Sequence, residues 1–288
     1  MIHLLADPME NAFMVRALVA ATFIGLTCSV IGVFVVLRNL SFIGDGLAHA
    51  SFAGIVVAYM LKANLYVGGL IVAVLTALGI GSIAKRSELS LDTAIGVLFT
   101  AAFALGVLLM SRARSYASDL QDFLFGNILG VDRLDIILVV ALAALVLAIV
   151  VLFYKELLFS SFDPVMAQAS GLPTDFLYYL LLVLLAVTII VSLQAAGIVL
   201  VAALLVTPAA TAYQLTTRFG PMMVVSALVG VLSGIIGLYL SYYLDAASGA
   251  TIVLTATAFF FLAMLFSPRR RSLLSAVLAS RRATVRAR

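Results

Sequence analysis

Charged side chains and cysteine are scarce in this sequence, and tryptophan is absent. Only 10% of the 288 residues are charged, whereas 65% are hydrophobic. Soluble domains carry about a quarter charged residues, and no single globular core could bury such an apolar excess. The composition therefore excludes an ordinary soluble protein and indicates an integral membrane protein.

Several motifs are missing as well. The only cysteine, Cys28, cannot form an intrachain disulfide and is interpreted as a small packed residue. No GxxxxGK[ST] loop is present, so the chain cannot hydrolyse ATP by that route alone. The absence of GxSxG and HExxH argues against an intramembrane hydrolase built around His49. The first residues, MIHLLADPMEN, lack a basic region, so we expect no cleaved signal peptide.

The apolar runs are about 18 to 25 residues long, which suits helices that cross a hydrocarbon core of roughly 30 Å. They are too continuous for transmembrane β-strands, whose hydrophobicity alternates. We predict an all-α polytopic fold with spans at residues 13–37, 42–61, 65–84, 93–111, 134–153, 176–193, 196–214, 221–244 and 251–267. Because Pro208 lies inside span 196–214, a broken or re-entrant helix there is an open alternative. The sequence thus predicts eight or nine transmembrane helices.

Lys and Arg residues predict the orientation. With nine crossings, one side receives Arg38, Lys85, Arg86, Lys155, Arg218 and the basic tail, and the other receives Lys62, Arg112, Arg114 and Arg133. The richer side is expected to be cytoplasmic, which leaves the N-terminus outside. Residues 1–267 then form one transmembrane domain. Residues 268–288 form a basic cytoplasmic tail, expected to lie near anionic lipid rather than to bind nucleic acid.

Two polar connections suggest contacts with partners. On the inside, Asp163 before Pro164 is a helix start, and Gly171 with the following proline is a helix stop. These signals predict a short helix at about 164–170, which a simple connector would not need. On the outside, Asp119 and Asp122 could contact metal or a partner, or could simply be solvated.

Ionisable residues also occur within the predicted spans. Asp92 is interpreted as the N-cap of its span rather than as a ligand. The segment LSFIGDGLAHASFAG places Asp45 and His49 four residues apart, on one face of a helix. Such a pair either ligates a cation or satisfies itself by a hydrogen bond, and intramembrane ionisable residues usually mark an ion path.

Small residues around this pair permit a close helix crossing. The small residues are Gly44, Gly46, Ala48, Ala50 and Gly54. If two copies crossed here, two carboxylates and two imidazoles would offer four ligands. That mixed oxygen and nitrogen set suits Mn²⁺, Zn²⁺ or Fe²⁺ better than Ca²⁺ or Mg²⁺.

The same segment resembles the signature of membrane permeases of the manganese/zinc class of ABC importers. Four further segments resemble other blocks of that family: LSLDTAIGVLFTAAFALGVLL, DLQDFLFGNILGV, SLQAAGIVLVAALLVTPAATAYQL and SGATIVLTATAFFFLAMLFSP. The resemblance extends from about residue 13 to residue 268, and it leaves out the basic tail.

This resemblance implies the vitamin-B12-importer (type II ABC importer) permease fold, in the cytoplasmic (inner) membrane. It implies a homodimer that pairs with two cytoplasmic ATPase subunits and receives metal from an extracytoplasmic binding protein. The permease itself is then not an enzyme and holds no permanent cofactor, and ATP binds to the partner subunit.

The resemblance also implies roles for particular residues. Metal binding falls on Asp45 and His49. Coupling to the ATPase falls on Asp163, Pro164, Val165, Met166, Ala167, Gln168, Ala169 and Gly171.

The transported ion and the energy source have alternatives. The C-terminal blocks favour manganese, while ligand type leaves zinc and iron open. The rival class is an ion-coupled secondary metal carrier or a proton pathway that works without an ATPase, in which His49 would shuttle protons.

The orientation can be tested with Asp7→Cys and Ser275→Cys variants in intact cells. Because the N-terminus is expected outside and the tail inside, a membrane-impermeant thiol reagent should label position 7 and not position 275. Labelling of both positions from the same side would contradict nine crossings and favour eight.

Overall fold

The computed structural model describes residues 7–87, 89–112 and 128–267 of the chain. Within these ranges the regular structure is helical. The α-helices are α1 (Ala12–Leu37), α2 (Ile43–Met60), α3 (Leu65–Arg86), α4 (Leu91–Met110), α5 (Arg133–Leu152), α6 (Tyr154–Phe162), α7 (Pro164–Ala169), α8 (Thr174–Ala196), α9 (Ile198–Leu215), α10 (Phe219–Leu244) and α11 (Ser248–Phe266). Short 3-10 turns cover Asp7–Glu10 and Ile128–Gly130.

Nine of the described helices are long and apolar enough to cross a membrane, namely α1 to α5 and α8 to α11. This agrees with the larger of the two predicted numbers of spans. The tail at 268–288 and the residues Asp119 and Asp122 lie outside the described part of the chain.

Local polar contacts fix where several helices begin. The Asn64 side chain accepts hydrogen bonds from the backbone N–H groups of Tyr66 and Val67 at the start of α3. Ser90 accepts from the N–H of Thr93 at the start of α4. The prediction that Asp92 caps α4 is therefore wrong. Asp92 lies inside the first turn, where its carboxylate is favoured by the helix dipole but is not the cap.

A single residue, Gly197, separates α8 from α9. Its φ of 80° lies in the left-handed region, which a residue with a β-carbon enters only with strain. The predicted span 196–214 is thus an unbroken helix that runs through Pro208 and begins at Ile198. The interruption falls at the glycine before the helix, not at the proline inside it.

Helix α2 is enclosed by its neighbours because its glycines let them approach. A β-carbon on Gly54 would lie 2.1 Å from the Gly68 carbonyl oxygen of α3. One on Gly46 would lie 2.8 Å from a methyl group of Ile95 in α4. Gly44 meets Leu205 of α9 in the same way, at 2.7 Å. The expectation that these small residues admit a second copy is therefore corrected, because they pack helices of the same chain.

A second close contact joins α1 to α10. A β-carbon on Gly25 would lie 2.8 Å from the Gly230 carbonyl oxygen. Nearby, the Ser226 hydroxyl donates to the Ser29 carbonyl oxygen at 2.8 Å. Helix α9 packs on α1, α10 and α11 and also reaches α2, so it links the two close contacts.

Gly54→Ala tests the α2–α3 contact, with Gly96→Ala as the matched control. A β-carbon at Gly54 meets backbone, which cannot rotate away, so we expect a loss of about 1–3 kcal/mol from overpacking. Nothing lies within 4 Å of a β-carbon at Gly96 in α4, so the control should be neutral or slightly stabilising. Thermal unfolding in detergent measures both, and equal melting temperatures for the two variants would contradict the contact.

Candidate functional site

The two ionisable residues of α2 are exceptions on an otherwise enclosed helix. From Ile43 to Val56 every residue is buried except Asp45 and His49. The Asp45 side chain is 52% exposed and that of His49 is 25% exposed. The fold therefore brings the chemically reactive groups of this segment, and only those groups, to the surface of the chain.

The hydrogen bond of His49 determines which ring nitrogen carries a proton and how the ring is oriented. Nδ1 of His49 lies 2.9 Å from the backbone carbonyl oxygen of Asp45 and 3.4 Å from the Oδ1 atom of the same residue. A carbonyl oxygen only accepts, so Nδ1 carries a proton, and the tautomer that can ligate a metal has its lone pair on Nε2. The imidazole is thus oriented by the backbone of its own helix. The Asp45 carboxylate retains acceptor sites for another group.

Aromatic rings of α4 flank the imidazole. The His49 ring centroid lies 5.6 Å from that of Phe103 and 6.2 Å from that of Phe99. Phe103 also packs on Phe52, with 5.6 Å between the ring centroids. These rings limit rotation of His49 and form an apolar wall beside it. Asp45 in turn lies in the first turn of α2, where the helix dipole favours a carboxylate.

One chain alone provides an incomplete metal site. Asp45 and His49 supply two donor groups, whereas transition metals in proteins take four or more ligands. Across residues 7–87, 89–112 and 128–267, no group of three or more His, Cys, Asp or Glu residues is arranged to hold a metal ion. Any coordination by the pair has to be completed from outside this helix.

The predicted cytoplasmic helix is present as α7, and it ends at Ala169 rather than at residue 170. The Asp163 carboxylate accepts from the Met166 N–H at 2.9 Å, and Pro164 occupies the first turn. Gly171, with a φ of 85°, reverses the chain after the helix. These are the start and stop signals read from the sequence.

The short helix turns one side inward and the other outward. Ala167 is fully buried, whereas Val165 and Met166 are 77% and 58% exposed. Hydrophobic side chains this exposed on a polar connection offer apolar surface to a partner. No hydrogen bond or ion pair among the described residues joins α7 to Asp45 or His49, so the chain has two separate candidate surfaces.

Helix α6, which precedes α7, is not predicted by the sequence analysis. It is anchored by tertiary contacts: Leu157 is buried, and the rings of Tyr154 and Phe162 pack on Phe219 at the start of α10. These contacts bring Ser160 and Ser161 toward the end of α1. The Arg38 side chain donates to both hydroxyls, from Nη2 to Ser160 at 3.0 Å and from Nε to Ser161 at 3.1 Å.

A cavity of about 440 Å³ lies beside α7. We call it the cytoplasmic recess because it lies on the side that the Lys and Arg distribution predicts to be cytoplasmic. It is lined by Leu37, Arg38, Asn39, Leu40, Lys85, Leu91, Ser160, Ser161, Pro164, Val165, Gln168, Thr174, Asp175 and Tyr178. No single sequence motif indicates this recess, because its walls come from separate segments. The one sequence signal of the recess is the prediction that Arg38 and Lys85 lie on the cytoplasmic side.

Fold and site together define a polytopic membrane protein with an ionisable pair on a spanning helix. The chain belongs to the ABC 3 transport family, whose model matches residues 10–267. The resemblance drawn from the sequence motifs is thereby confirmed.

Relatives of known description cover most of the chain. It is 47% identical over 262 residues to the manganese transport system membrane protein MntC of Halalkalibacterium halodurans, covering 91% of this chain and 90% of that protein. It is 35% identical over 266 residues to a probable iron transport system membrane protein of Haemophilus influenzae, covering 92% and 98%.

Solved structures agree with the fold. One described as PsaBC from Streptococcus pneumoniae in complex with Fab matches with a TM-score of 0.85 and 34% identity, over 96% of this chain and 100% of that chain. A second, described as an inward-facing conformation of a putative metal-chelate type ABC transporter, matches with a TM-score of 0.71. It covers 88% of this chain and 85% of that one at 17% identity, which is evidence of fold alone. The predicted type II ABC importer permease fold is confirmed.

Proposed function

We propose that this protein is the membrane permease subunit of an ATP-driven importer of divalent transition metal ions in the cytoplasmic membrane. Manganese is the favoured ion, with zinc and iron as the alternatives. The observation that carries the proposal is the exposure of Asp45 and His49 on a helix that is otherwise buried up to Val56. Family membership and the metals named for the relatives support it.

The donor atoms of the pair suit such an ion. The Asp45 carboxylate supplies negative charge to a dication that has lost water, and neutral His49 adds a nitrogen ligand through Nε2 without adding charge. The hydrogen bond from Nδ1 to the Asp45 carbonyl keeps that nitrogen available. In this proposal the ion is the transported substrate, and its ligands have to release it as well as bind it.

A second copy of the chain is proposed to complete the site. The Asp45 side chain is 52% exposed on a spanning helix, and ionisable residues of spanning helices usually face other protein or a water-filled cavity, so the Asp45 face is expected to be covered in the assembled protein. Helix α4 beside it is also largely exposed, with Val97 61% and Leu108 58% accessible. A two-fold contact along this face would bring two carboxylates and two imidazoles together.

Energy and delivery are assigned to separate partners. Because the chain has no GxxxxGK[ST] loop, ATP is proposed to bind and react on a cytoplasmic ATPase dimer. Helix α7, with residues Asp163 to Ala169 and Gly171, is the proposed docking element for that dimer. An extracytoplasmic metal-binding protein is proposed to present the ion from the other side, where Asp119 and Asp122 are candidate contacts.

The rival function is an ion-coupled carrier or proton pathway that needs no ATPase. Membership of an ABC transport family favours the ATP-driven function. Proteoliposomes that contain this chain alone should therefore not take up manganese. Uptake without the ATPase would support the carrier.

Asp45→Asn and His49→Ala, each assembled with its ATPase, test the metal site. Both variants remove a ligand, so we expect manganese uptake into proteoliposomes to fall at least tenfold, as for the loss of a group that contributes about 1.4 kcal/mol or more. The variants should still insert, associate with a second copy and bind the ATPase.

Asp92→Asn is the matched control for this test. Like Asp45, Asp92 is an exposed carboxylate in the first turn of a spanning helix, but it has no proposed ligand role. Its uptake should be normal. Normal uptake by either Asp45→Asn or His49→Ala would show that the pair is structural.

Ala167→Pro tests the coupling helix. Proline removes the hydrogen bond from the Ala167 N–H to the Asp163 carbonyl oxygen, at a cost of about 3 kcal/mol for an interior position. We expect metal-stimulated ATP hydrolysis to fall while metal binding survives, which can be measured on the assembled complex by phosphate release and metal titration. Unchanged transport would mean that α7 is only a connector.

A further inference from the structure

In the part of the cytoplasmic recess that the structure describes, one cation has no opposing carboxylate. Lys85 on its wall forms an ion pair with Asp175 and lies over the ring of Tyr178, 4.9 Å from the centroid. Within the described ranges, the Arg38 guanidinium hydrogen-bonds to two hydroxyls and lies over the same ring, 5.7 Å from the centroid. Among the described residues no carboxylate lies within ion-pair distance of its guanidinium. Among the described lining residues, two cations and one carboxylate give an excess of positive charge.

The guanidinium retains unused hydrogen-bonding capacity. It has five N–H donors, and the structure accounts for two of them, one to each serine. Both serine hydroxyls donate to the Leu157 carbonyl oxygen, which leaves their lone pairs to hold Arg38 in place. Burial lowers the pKa of Arg38 from its usual range, and proximity to Tyr178 opposes this effect. The remaining donors are thus held at the wall of a cavity by a partly buried side chain.

The position of the recess indicates what fills it. Pro164, Val165 and Gln168 of α7 form part of its wall, so a partner that covers the exposed face of α7 also covers the mouth of the recess. The basic residues 268–288 contain neither Asp nor Glu and share the sign of Arg38, so that segment is excluded as the occupant by charge. A carboxylate matches the planar fork of Arg38.

We propose that the cytoplasmic recess receives an acidic side chain of the ATPase subunit, which Arg38 binds through its unused N–H groups. This rests on the proposed docking of the ATPase on α7 and adds a second, ionic contact to it. Arg38 lies directly after α1, between that helix and α6, so the contact joins the partner to a spanning helix as well as to α7.

The test measures binding of the cognate ATPase subunit to the full chain in nanodiscs at low and high ionic strength. Arg38→Gln removes the charge, and we expect at least about tenfold weaker binding with a reduced dependence on salt. Arg38→Lys restores the charge without the fork and should recover part of the affinity. Lys85→Gln should have a smaller effect, because Asp175 already neutralises Lys85.

The double variant Ser160→Ala, Ser161→Ala separates a structural role from a binding role. It removes the hydroxyl contacts of Arg38 but keeps the charge, so binding should weaken less than in Arg38→Gln and should stay salt-dependent. An equal loss in both variants, together with equally lowered melting temperatures, would overturn the proposal in favour of a structural Arg38.

Ala167→Pro distinguishes failure of this inference from failure of the proposed function. If Ala167→Pro weakens ATPase binding while Arg38→Gln leaves both affinity and salt dependence normal, the recess proposal is wrong and docking on α7 stands. If neither variant weakens binding, docking at this surface is wrong altogether. The same nanodiscs with and without phosphatidylglycerol address a lipid phosphate: if Arg38→Gln changes only lipid binding, the recess belongs to lipid and the proposal is overturned.

Discussion

The close approach of α2 to α3 and α4 is the constraint on which the candidate site depends. At Gly54 the two backbones are so near that a β-carbon would lie 2.1 Å from the carbonyl oxygen of Gly68. With no side chain in the way, the neighbours cover α2 on several sides, and between Ile43 and Val56 only Asp45 and His49 remain accessible. Adding a methyl group at this contact would displace α2 and with it both donor groups, because Asp45 and His49 are carried on the same rigid helix.

The hydrogen bonding of His49 decides which donor atoms of the pair stay available. Since the Nδ1 proton of His49 goes to a backbone carbonyl, the carboxylate four residues earlier does not have to satisfy the ring. The apolar wall of Phe99 and Phe103 then holds the imidazole without offering it another polar partner. For the proposed ion site this arrangement is favourable, because the Nδ1–Oδ1 contact at 3.4 Å is longer than the hydrogen bond to the backbone and competes less with a bound ion.

Much of the fold was predictable because bilayer thickness sets helix length and apolar runs reveal it. All nine predicted spans have a counterpart among the described helices, and α7 was predictable because Asp163, Pro164 and Gly171 are local signals. Asp92 was misassigned because its neighbour Ser90 competes for the same capping position. The roles of Gly44, Gly46 and Gly54 were misread because sequence shows that a close contact exists, not with which helix. Helix α6 and the recess depend on contacts between distant segments, which periodicity does not report.

Helix α8 contacts the recess at its start and leads into α9 at its end. It contains neither glycine nor proline between Thr174 and Ala196, so it has no point at which it bends easily over a length of roughly 34 Å. Its first turns carry Asp175 and Tyr178 in the wall of the recess, and its last residue adjoins Gly197. Beyond that residue α9 presents Leu205 to Gly44, beside Asp45. Helix α8 therefore joins the wall of the recess, through one glycine whose φ would strain any other residue, to the helix that packs against the start of α2.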